Sequence, residues 1–379
     1  MNVQITRLDH DKKIFSYTNW MSIKDILYDR IKSKMGPILT LDLTEKCNFF
    51  CEYCIDKKNT NKRMAKELDW CFLHNNLPIM RQKGCRAIEL AGGGEPTLYS
   101  HFTELIDLAT HLNYSLSLIT NGSSLLKDSE EILKSDFDWI RVSLDAAKPD
   151  THKKVHSLKQ DIFHSILEGI AKIASQIPVG VSFIINEDNC EEIYSAAKLA
   201  KQVGARYIEF KPMLQGKQIL RIDNIYQTIR MLITDSHSLQ DNKFSVISTH
   251  SLELLLKEAE INADSMRTEE IHELQENKQY SICYSCYLRT VLTPSGLYPC
   301  SYYRGSKYRV TGCMDVNSII EARNKLIRQI DPKASCGHYC ARHQMNVIVD
   351  KLIRLPEEYS FLVDHLGWPV DYGEDSNWL

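Results

Sequence analysis

Residues 38–54 read ILTLDLTEKCNFFCEYC, a short apolar run that leads directly into three cysteines. The run 38–43 predicts a buried β-strand, and the loop after it holds Cys47, Cys51 and Cys54. A C-x3-C-x2-C loop can place three thiolates on one face of a [4Fe–4S] cluster and leave one iron open to another ligand. Structural zinc is the alternative, and it needs a fourth ligand, for which His74 is the nearest candidate.

Five further apolar segments follow this strand, with helical patterns between them. The six predicted strands are residues 38–43, 86–91, 116–120, 139–144, 179–185 and 207–210. Consecutive β–α units favour an α/β fold with a parallel sheet, here a partial (β/α)6 barrel of the TIM type over residues 37–215. In such barrels the active site lies on the loops after the strands, which is where the cysteine loop falls.

Composition restricts the class of protein further. The 379 residues contain 46 Lys and Arg against 49 Asp and Glu, a formal net charge of −3. This balance does not favour a nucleic-acid or membrane partner. The sequence has neither a bilayer-spanning apolar run nor the apolar core of a signal peptide, so we expect a cytoplasmic protein. In a reducing compartment its 12 cysteines indicate metal binding or catalysis rather than disulfides.

Four segments are predicted around the barrel. Residues 1–36 are an N-terminal extension, and the charged, helix-prone residues 216–280 are expected to form a helical connector. Residues 281–345 are rich in cysteine and suggest a small metal-organised domain. In the tail, residues 346–379, the aromatic stretch 366–372 is expected to pack on the barrel. The isolated Cys71, Cys85 and Cys190 are expected to be packing residues.

A glycine-rich motif follows the second predicted strand and reads Gly92-Gly93-Gly94-Glu95-Pro96. Together with the cysteine loop, it resembles the radical S-adenosylmethionine (SAM) superfamily over residues 37–215. The resemblance implies that the glycine backbone and the Glu95 carboxylate receive the amino group of SAM. It also implies that Tyr53, between the second and third cysteines, lies close to the adenine.

Polar residues end the third and fourth predicted strands, where the family places contacts to the ribose and carboxylate of SAM. These residues are Thr120, Asn121, Ser143 and Asp145. Relatives often carry an arginine near the position of His156, so His156 or Arg141 is expected to hold the carboxylate instead. Lys211, after the sixth strand, is a further candidate.

The resemblance implies two cofactors, a SAM-binding [4Fe–4S] cluster and SAM. An electron, supplied by a donor such as flavodoxin or ferredoxin, would cleave SAM to methionine and a 5′-deoxyadenosyl radical. That radical would remove a hydrogen atom from the substrate, while the barrel excludes water.

The later cysteines resemble the SPASM/twitch extensions of many radical SAM enzymes. A twitch-type domain with one auxiliary [4Fe–4S] cluster fits the number of cysteines best. The expected ligands are Cys286, Cys300, Cys336 and Cys340. Cys283 or Cys313 could replace one of the four or act as a hydrogen-atom donor. A zinc ribbon on Cys283, Cys286, Cys336 and Cys340 is the alternative.

A fully liganded auxiliary cluster suggests electron transfer, and therefore oxidation of the substrate. Only 36 residues precede the first strand, too few for a peptide-recognition domain of the kind found on related peptide maturases. We therefore expect a small polar metabolite such as a sugar, an aminocyclitol or a nucleotide. Maturation of a ribosomally made peptide is the second hypothesis, and a non-catalytic metal-binding module is the third.

Overall fold

The computed structural model describes residues 17–54, 65–215, 218–219, 225–263, 278–312, 315–336, 340 and 342–356. Eleven strands are assigned within these residues. They are β1 Ile38–Asp42, β2 Ala87–Ala91, β3 Ser115–Thr120, β4 Phe137–Ser143, β5 Val179–Ile185, β6 Tyr207–Pro212, β7 Leu214–Gln215, β8 Gln218–Ile219, β9 Ser245–Ser248, β10 Arg289–Thr293 and β11 Gly296–Tyr298.

The α-helices alternate with the strands over most of the chain. They are α1 Tyr17–Leu27, α2 Trp70–Gln82, α3 Phe102–His111, α4 Ser129–Lys134, α5 Pro149–Val155, α6 Phe163–Ala174, α7 Ile193–Gln202, α8 Tyr226–His237, α9 His250–Ala263, α10 Ser285–Leu288, α11 Val316–Gln329, α12 Pro332–Ser335 and α13 His343–Ile353. None of the described helices is long and apolar enough to cross a bilayer.

Nine strands form one sheet, in the order β11–β10–β1–β2–β3–β4–β5–β6–β9. All neighbouring pairs are parallel except β10 with β11. The predicted α/β architecture with a mostly parallel sheet is therefore confirmed. Since parallel strands all end at the same edge, the loops after β1 to β6 lie together there.

The two faces of the sheet differ in chemistry because side chains alternate along each strand. On the outer face, apolar residues such as Leu39, Leu90 and Val142 pack against the helices in one hydrophobic core. The inner face is polar, and the strand register places Thr40, Glu89 and Ser117 beside one another. The inner face is thus suited to hold a polar molecule.

The structure corrects the prediction for residues 216–280. The segment contains the helices α8 and α9, but the strand β9 lies between them and pairs with β6. Its short sequence, Ser245-Val246-Ile247-Ser248, carries little strand signal, and a place at the sheet edge stabilises it. Residues 264–277 of this segment lie outside the described residues, as does the stretch 366–372.

The cysteine-rich region is joined to the barrel by the hairpin β10–β11. β10 pairs in parallel with β1, so the sheet continues directly into this region. The N-terminal and C-terminal segments also meet, because Arg323 of α11 is buried and donates a hydrogen bond of 2.8 Å to the carbonyl of Ile31. The proposed domain limits stay predictions.

Candidate active site

The cysteine loop begins after β1 and is anchored from several sides. The backbone N–H of Phe50 donates to the carbonyl of His156 at 3.1 Å, and Phe49 is buried beneath the loop. Burial raises the pKa of Cys47 to about 11. Burial raises the pKa of Cys51 as well, followed by the charges of Asp145, Cys54 and Cys47. The three thiols therefore lie close enough to influence one another.

The glycine-rich loop after β2 packs directly on the cysteine loop. The N–H of Glu95 donates to the Lys46 carbonyl at 2.8 Å, one residue before the first cysteine. A Cβ on Gly94 would lie 2.0 Å from that same carbonyl oxygen, and a Cβ on Gly92 would lie 2.0 Å from the Gly94 oxygen. Only glycine fits at these two positions, because the backbones approach too closely for any side chain.

Glu95, which is predicted to receive the amino group of SAM, is engaged within the protein. Its buried carboxylate accepts hydrogen bonds from the hydroxyls of Thr97 at 2.8 Å and Thr120 at 2.6 Å, and from the N–H of Asn121 at 2.8 Å. With these donors in place, Glu95 ties the glycine-rich loop to the end of β3. Reception of the SAM amino group by Glu95 or by the loop backbone stays a prediction.

Thr120 and Asn121 are likewise engaged within the protein. The Asn121 side-chain amide donates to Asn48 in the cysteine loop at 2.8 Å, and the amide of Asn48 donates to Ser123 at 2.8 Å. These contacts fix the cysteine loop against the loop after β3. Contact of Thr120 and Asn121 with the ribose or carboxylate stays a prediction.

The Tyr53 side chain has a polar group, unpaired within the described residues, that a bound ligand could satisfy. Its hydroxyl is buried, and no hydrogen-bond partner for it occurs among the described residues. Burial raises the pKa of this hydroxyl, so it is a neutral phenol. A buried hydroxyl without a partner is costly unless a bound molecule completes it. Contact of Tyr53 with the SAM adenine stays a prediction.

Asp145 is a backbone anchor rather than an exposed ligand-binding group. It has a positive φ of 53°, and its carboxylate accepts the Ile184 N–H at 2.6 Å. Burial raises its pKa to about 7. Ser143 ends β4 on the inner face, where the register pairs it with Ser182. For Ser143, contact with SAM stays a prediction.

His156, one of the two residues predicted to hold the SAM carboxylate, lies against the cysteine loop. Its Nδ1 lies 3.0 Å from the Cys51 sulfur, and its Nε2 lies 3.2 Å from the Leu144 carbonyl oxygen. Burial, followed by the neighbouring His152, lowers its pKa to about 3, so the ring is neutral at pH 7. Arg141 keeps its charge and projects into the barrel from β4. Contact of His156 or Arg141 with the SAM carboxylate stays a prediction.

The zinc alternative for the first three cysteines gains no support from His74. This residue lies exposed on α2, where its ring packs edge-on against Trp70 and its Nδ1 faces Asn75.

Cys71 on the same helix is exposed, so its predicted packing role is wrong, whereas Cys85 and Cys190 are buried as predicted.

A second group of thiols gathers beside β10 and β11. The charges of Cys283, Cys300 and Cys336 all affect the pKa of Cys286, and the pKa of Cys340 responds to the same three thiols. Within the described residues, no three His, Cys, Asp or Glu side chains form a tight site for a single metal ion. Cys313 lies outside the described residues.

Cys283 differs from the other thiols of this group. A hydrogen bond from Cys286 lowers its pKa to about 7, and the Asn346 amide donates to its sulfur at 3.6 Å. Burial raises the pKa of Cys300 to about 11. Cys283 is thus the described thiol of the group that loses its proton most readily, and the choice of four ligands from five thiols stays open.

The inner face of the barrel also carries charged residues that motif reasoning did not identify, namely Glu209, Glu89 and Arg289. Glu209 on β6 pairs with both Arg141 and Lys211, and Arg289 on β10 pairs with Glu89 on β2. The sequence does contain a signal for these residues, which is the alternation of polar and apolar side chains along a strand. In the strand Ala87-Ile88-Glu89-Leu90-Ala91, for example, the polar residue falls on the inner face between two outward apolar ones.

Comparison with known proteins agrees with this geometry. A profile of the radical SAM superfamily matches residues 41–200, which hold the cysteine loop, the glycine-rich loop and β2 to β5. The chain contains a radical SAM domain. Proteins of this superfamily use a [4Fe–4S] cluster and SAM. The three thiols, the glycine cradle and the Tyr53 hydroxyl without a partner fit both groups.

The radical SAM domain is also the part shared with curated relatives. The probable GTP 3′,8-cyclase of Saccharolobus solfataricus is 33% identical over 188 residues, covering 47% of this chain and 58% of that protein. The probable GTP 3′,8-cyclase of Thermococcus kodakarensis is 29% identical over 182 residues, covering 47% and 57%. The chain therefore spans less than two thirds of the length of these relatives.

Two solved structures share the fold over more of the chain. Streptococcus suis SuiB bound to precursor peptide SuiA has a TM-score of 0.58 and 14% identity, covering 78% of this chain and 66% of that one. Native anSMEcpe with bound AdoMet and Cp18Cys peptide has a TM-score of 0.54 and 16% identity, covering 88% and 99%. At such identities the likeness concerns the fold alone.

Proposed function

We propose that this radical SAM enzyme cleaves SAM reductively and removes a hydrogen atom from a small polar metabolite. Oxidation or a related modification of a sugar, an aminocyclitol or a nucleotide would result. The observation that carries the proposal is the packing of the glycine-rich loop on the three-cysteine loop, above a barrel with a charged inner face. When bound, the cluster and SAM supply the radical chemistry.

The residues of the chain have distinct parts in this proposal. Cys47, Cys51 and Cys54 would bind the cluster, and the backbone of Gly92, Gly93 and Gly94 would receive the amino group of SAM. Tyr53 would contact the adenine. Arg141 or Lys211 would face the carboxylate of SAM. Each thiol must lose its proton on binding iron, so cluster assembly should release protons to the medium.

The second thiol group would hold the auxiliary cluster of the same reaction. We assign it to Cys286, Cys300, Cys336 and Cys340, with Cys283 as the candidate fifth thiol. A cluster with four protein ligands leaves no iron open for the substrate, so its role would be to accept an electron from the substrate. A donor such as flavodoxin or ferredoxin would supply the electron for SAM.

Peptide maturation is the second candidate function, because both solved structures with a similar fold hold peptides. The charged inner face favours the small-metabolite alternative. Glu89 is buried there and pairs with Arg289, so this face offers charged groups to a polar molecule.

The test is anaerobic reconstitution with iron and sulfide, followed by addition of SAM and dithionite. The wild-type protein should form 5′-deoxyadenosine, measured by liquid chromatography and mass spectrometry. Cys51→Ala should reduce its formation to background, because the cluster would lose one of three ligands. Cys71→Ala, which removes an exposed thiol from α2, is the matched control and should retain the activity.

Two results would contradict the proposal. One is purification with stoichiometric zinc and no 5′-deoxyadenosine from the reconstituted wild type. The other is undiminished 5′-deoxyadenosine from Cys51→Ala, which would remove the cysteine loop from the chemistry.

A further inference from the structure

A buried arginine on α11 has hydrogen-bond partners that are all neutral. Arg323 is 2% exposed, and its Nη2 donates to the Ile31 carbonyl at 2.8 Å and to Asn324 Oδ1 at 3.1 Å. The Nε and Nη1 of this side chain are buried and have no hydrogen-bond partner among the described residues. Two of the three guanidinium nitrogens are therefore left unsatisfied by the rest of the described chain.

The charge of Arg323 also lacks a carboxylate partner. Burial lowers the pKa of Arg323 to about 10, so the guanidinium is still positively charged at neutral pH. Among the described residues, the acidic groups whose charges act on it are the Tyr287 hydroxyl and the Cys286 thiol, and no carboxylate is one of them. A buried cation is unfavourable unless an anion joins it.

The short helix α10 brings both of these groups to the guanidinium. Cys286 and Tyr287 follow one another on α10, which is buried and packs against α11. The guanidinium carbon of Arg323 lies 5.5 Å from the centre of the Tyr287 ring. An aromatic face attracts a cation but carries no net charge. Cys286, which is 4% exposed, is therefore the group that can supply a full negative charge here.

A cluster bound by the second thiol group would supply that charge. Cys286 is one of the four ligands proposed for the auxiliary cluster, and a thiol loses its proton when it binds iron. Four thiolates outweigh the positive charge of a [4Fe–4S] core, so the bound cluster is an anion. The cation of Arg323 and the anion of the cluster would then compensate one another in a buried place.

We propose that Arg323 is the fixed counter-charge of the auxiliary cluster and raises its reduction potential. The proposal rests on the proposed function, since it needs a cluster on the second thiol group. Each electron that the cluster accepts adds one negative charge, so a nearby cation stabilises the reduced cluster more than the oxidised one. Arg323 is thus a positioning residue that acts through the cluster, and a raised potential suits an acceptor of electrons from the substrate.

A purely structural role is the alternative, because Arg323 also ties α11 to the N-terminal segment. Arg323→Gln and Arg323→Met remove the charge, and the glutamine keeps a donor for the Ile31 carbonyl. Arg323→Lys keeps the charge. Asn324→Ala is the matched control, since Asn324 contacts Arg323 and donates to the Lys32 carbonyl at 2.8 Å in the same tether. This control weakens the tether and leaves every charge in place.

The measurement is an anaerobic redox titration of the reconstituted full-length protein, followed by electron paramagnetic resonance. The transition that is missing from Cys340→Ala belongs to the auxiliary cluster. Arg323→Gln and Arg323→Met should disfavour reduction of that cluster about tenfold, which lowers its potential by about 59 mV for a one-electron couple. Arg323→Lys and Asn324→Ala should keep a potential close to that of the wild type.

Iron content and circular dichroism establish which variants are loaded and folded. Loss of the auxiliary iron from the two neutral variants, with Arg323→Lys still loaded, would also support the proposal, because the cation would then be needed for the cluster to bind. An unchanged potential in loaded Arg323→Gln or Arg323→Met would overturn it. Equal effects of Arg323→Lys and Arg323→Gln would overturn it too, as would a wild type without auxiliary iron.

The proposed function is tested independently by the formation of 5′-deoxyadenosine. A wild type that forms this product and holds both clusters, but whose neutral variants keep the wild-type potential, would refute only the role of Arg323. A wild type that forms no 5′-deoxyadenosine, but whose auxiliary potential falls in the neutral variants, would refute the proposed function and leave the counter-charge in place.

Discussion

Single side chains in this protein show how burial and a partner together set a charge. Burial by itself raises the pKa of Glu89, but the facing Arg289 guanidinium, together with the charges of Arg141 and Arg342, outweighs it and lowers that pKa to about 2. In Asp145, the hydrogen bond from Ile184 does not outweigh burial, and the pKa rises to about 7. At neutral pH the Glu89 carboxyl is therefore charged, whereas the Asp145 carboxyl is held in its protonated form more readily than usual.

The lowered pKa of Glu89 predicts a pH-dependent contribution to stability. The ionised form is favoured in the folded protein, so the contribution is complete above pH 4.5 and is lost as the pH falls towards 2. Glu89→Gln should lower the free energy of unfolding by about 3 kcal/mol at pH 6. The difference from wild type should shrink by about 1 kcal/mol by pH 4.

Urea denaturation of the metal-free protein at several pH values measures this difference. Glu130→Gln, at an exposed position of α4, is the control for the loss of a glutamate. A difference between wild type and Glu89→Gln that stays constant from pH 6 to pH 4 would refute the coupling of Glu89 to Arg289.

At the scale of secondary-structure elements, the loops after β1, β2 and β3 act as one unit. Gly94 packs closely against the carbonyl of Lys46. Glu95 accepts a hydrogen bond from the end of β3, and Asn121 donates one to the cysteine loop. Each loop is held mainly by contacts with its neighbours. The position of the three thiols therefore depends on the glycine-rich loop as much as on the cysteine loop itself.

Gly94→Ala should separate the two loops, because the new Cβ would lie 2.0 Å from a backbone oxygen that cannot give way cheaply. We expect the reconstituted variant to lose the iron of the first cluster and to form little 5′-deoxyadenosine. Iron content per chain and product formation are the measurements.

Gly204→Ala is the control for a general effect of replacing glycine. Gly204 ends α7 with a φ of 82°, and the nearest atom to a Cβ there lies at 3.5 Å. This variant should lose about 1 kcal/mol of stability and keep its iron. Normal iron content in Gly94→Ala would show that the close approach of the loops is not needed for cluster binding.

Across the whole molecule, the second thiol group is assembled from distant parts of the chain. Cys283 and Cys286 precede β10, Cys300 follows β11, and Cys336 and Cys340 follow α12. The pairing of β10 with β1 fixes this group relative to the barrel. The position of the second thiol group relative to the first therefore depends on this pairing.

Cys340→Ala should lower the iron content of the reconstituted protein from about eight to about four per chain, since only the auxiliary cluster loses a ligand. Reductive cleavage of SAM should persist. Cys85→Ala, which removes a buried thiol outside both groups, should keep all of the iron. An unchanged iron content in Cys340→Ala would exclude Cys340 as a ligand.

The sequence alone determined the α/β class, the six strands from β1 to β6 and the two cysteine-rich segments. These features are local, because alternating apolar residues and closely spaced ligands need no distant partner to be recognised. It also pointed to the glycine-rich loop, whose composition reflects a close backbone approach.

Only the tertiary structure decided where the individual side chains act. It placed β9 at one edge of the sheet and β10 beside β1, paired the Glu95 carboxylate with Thr120, and put His156 against Cys51. It also gathered Arg141, Glu209, Arg289 and Glu89 on one inner face. The reason is physical: pairing, burial and charge balance depend on residues far apart in sequence, and no local pattern records which of them meet.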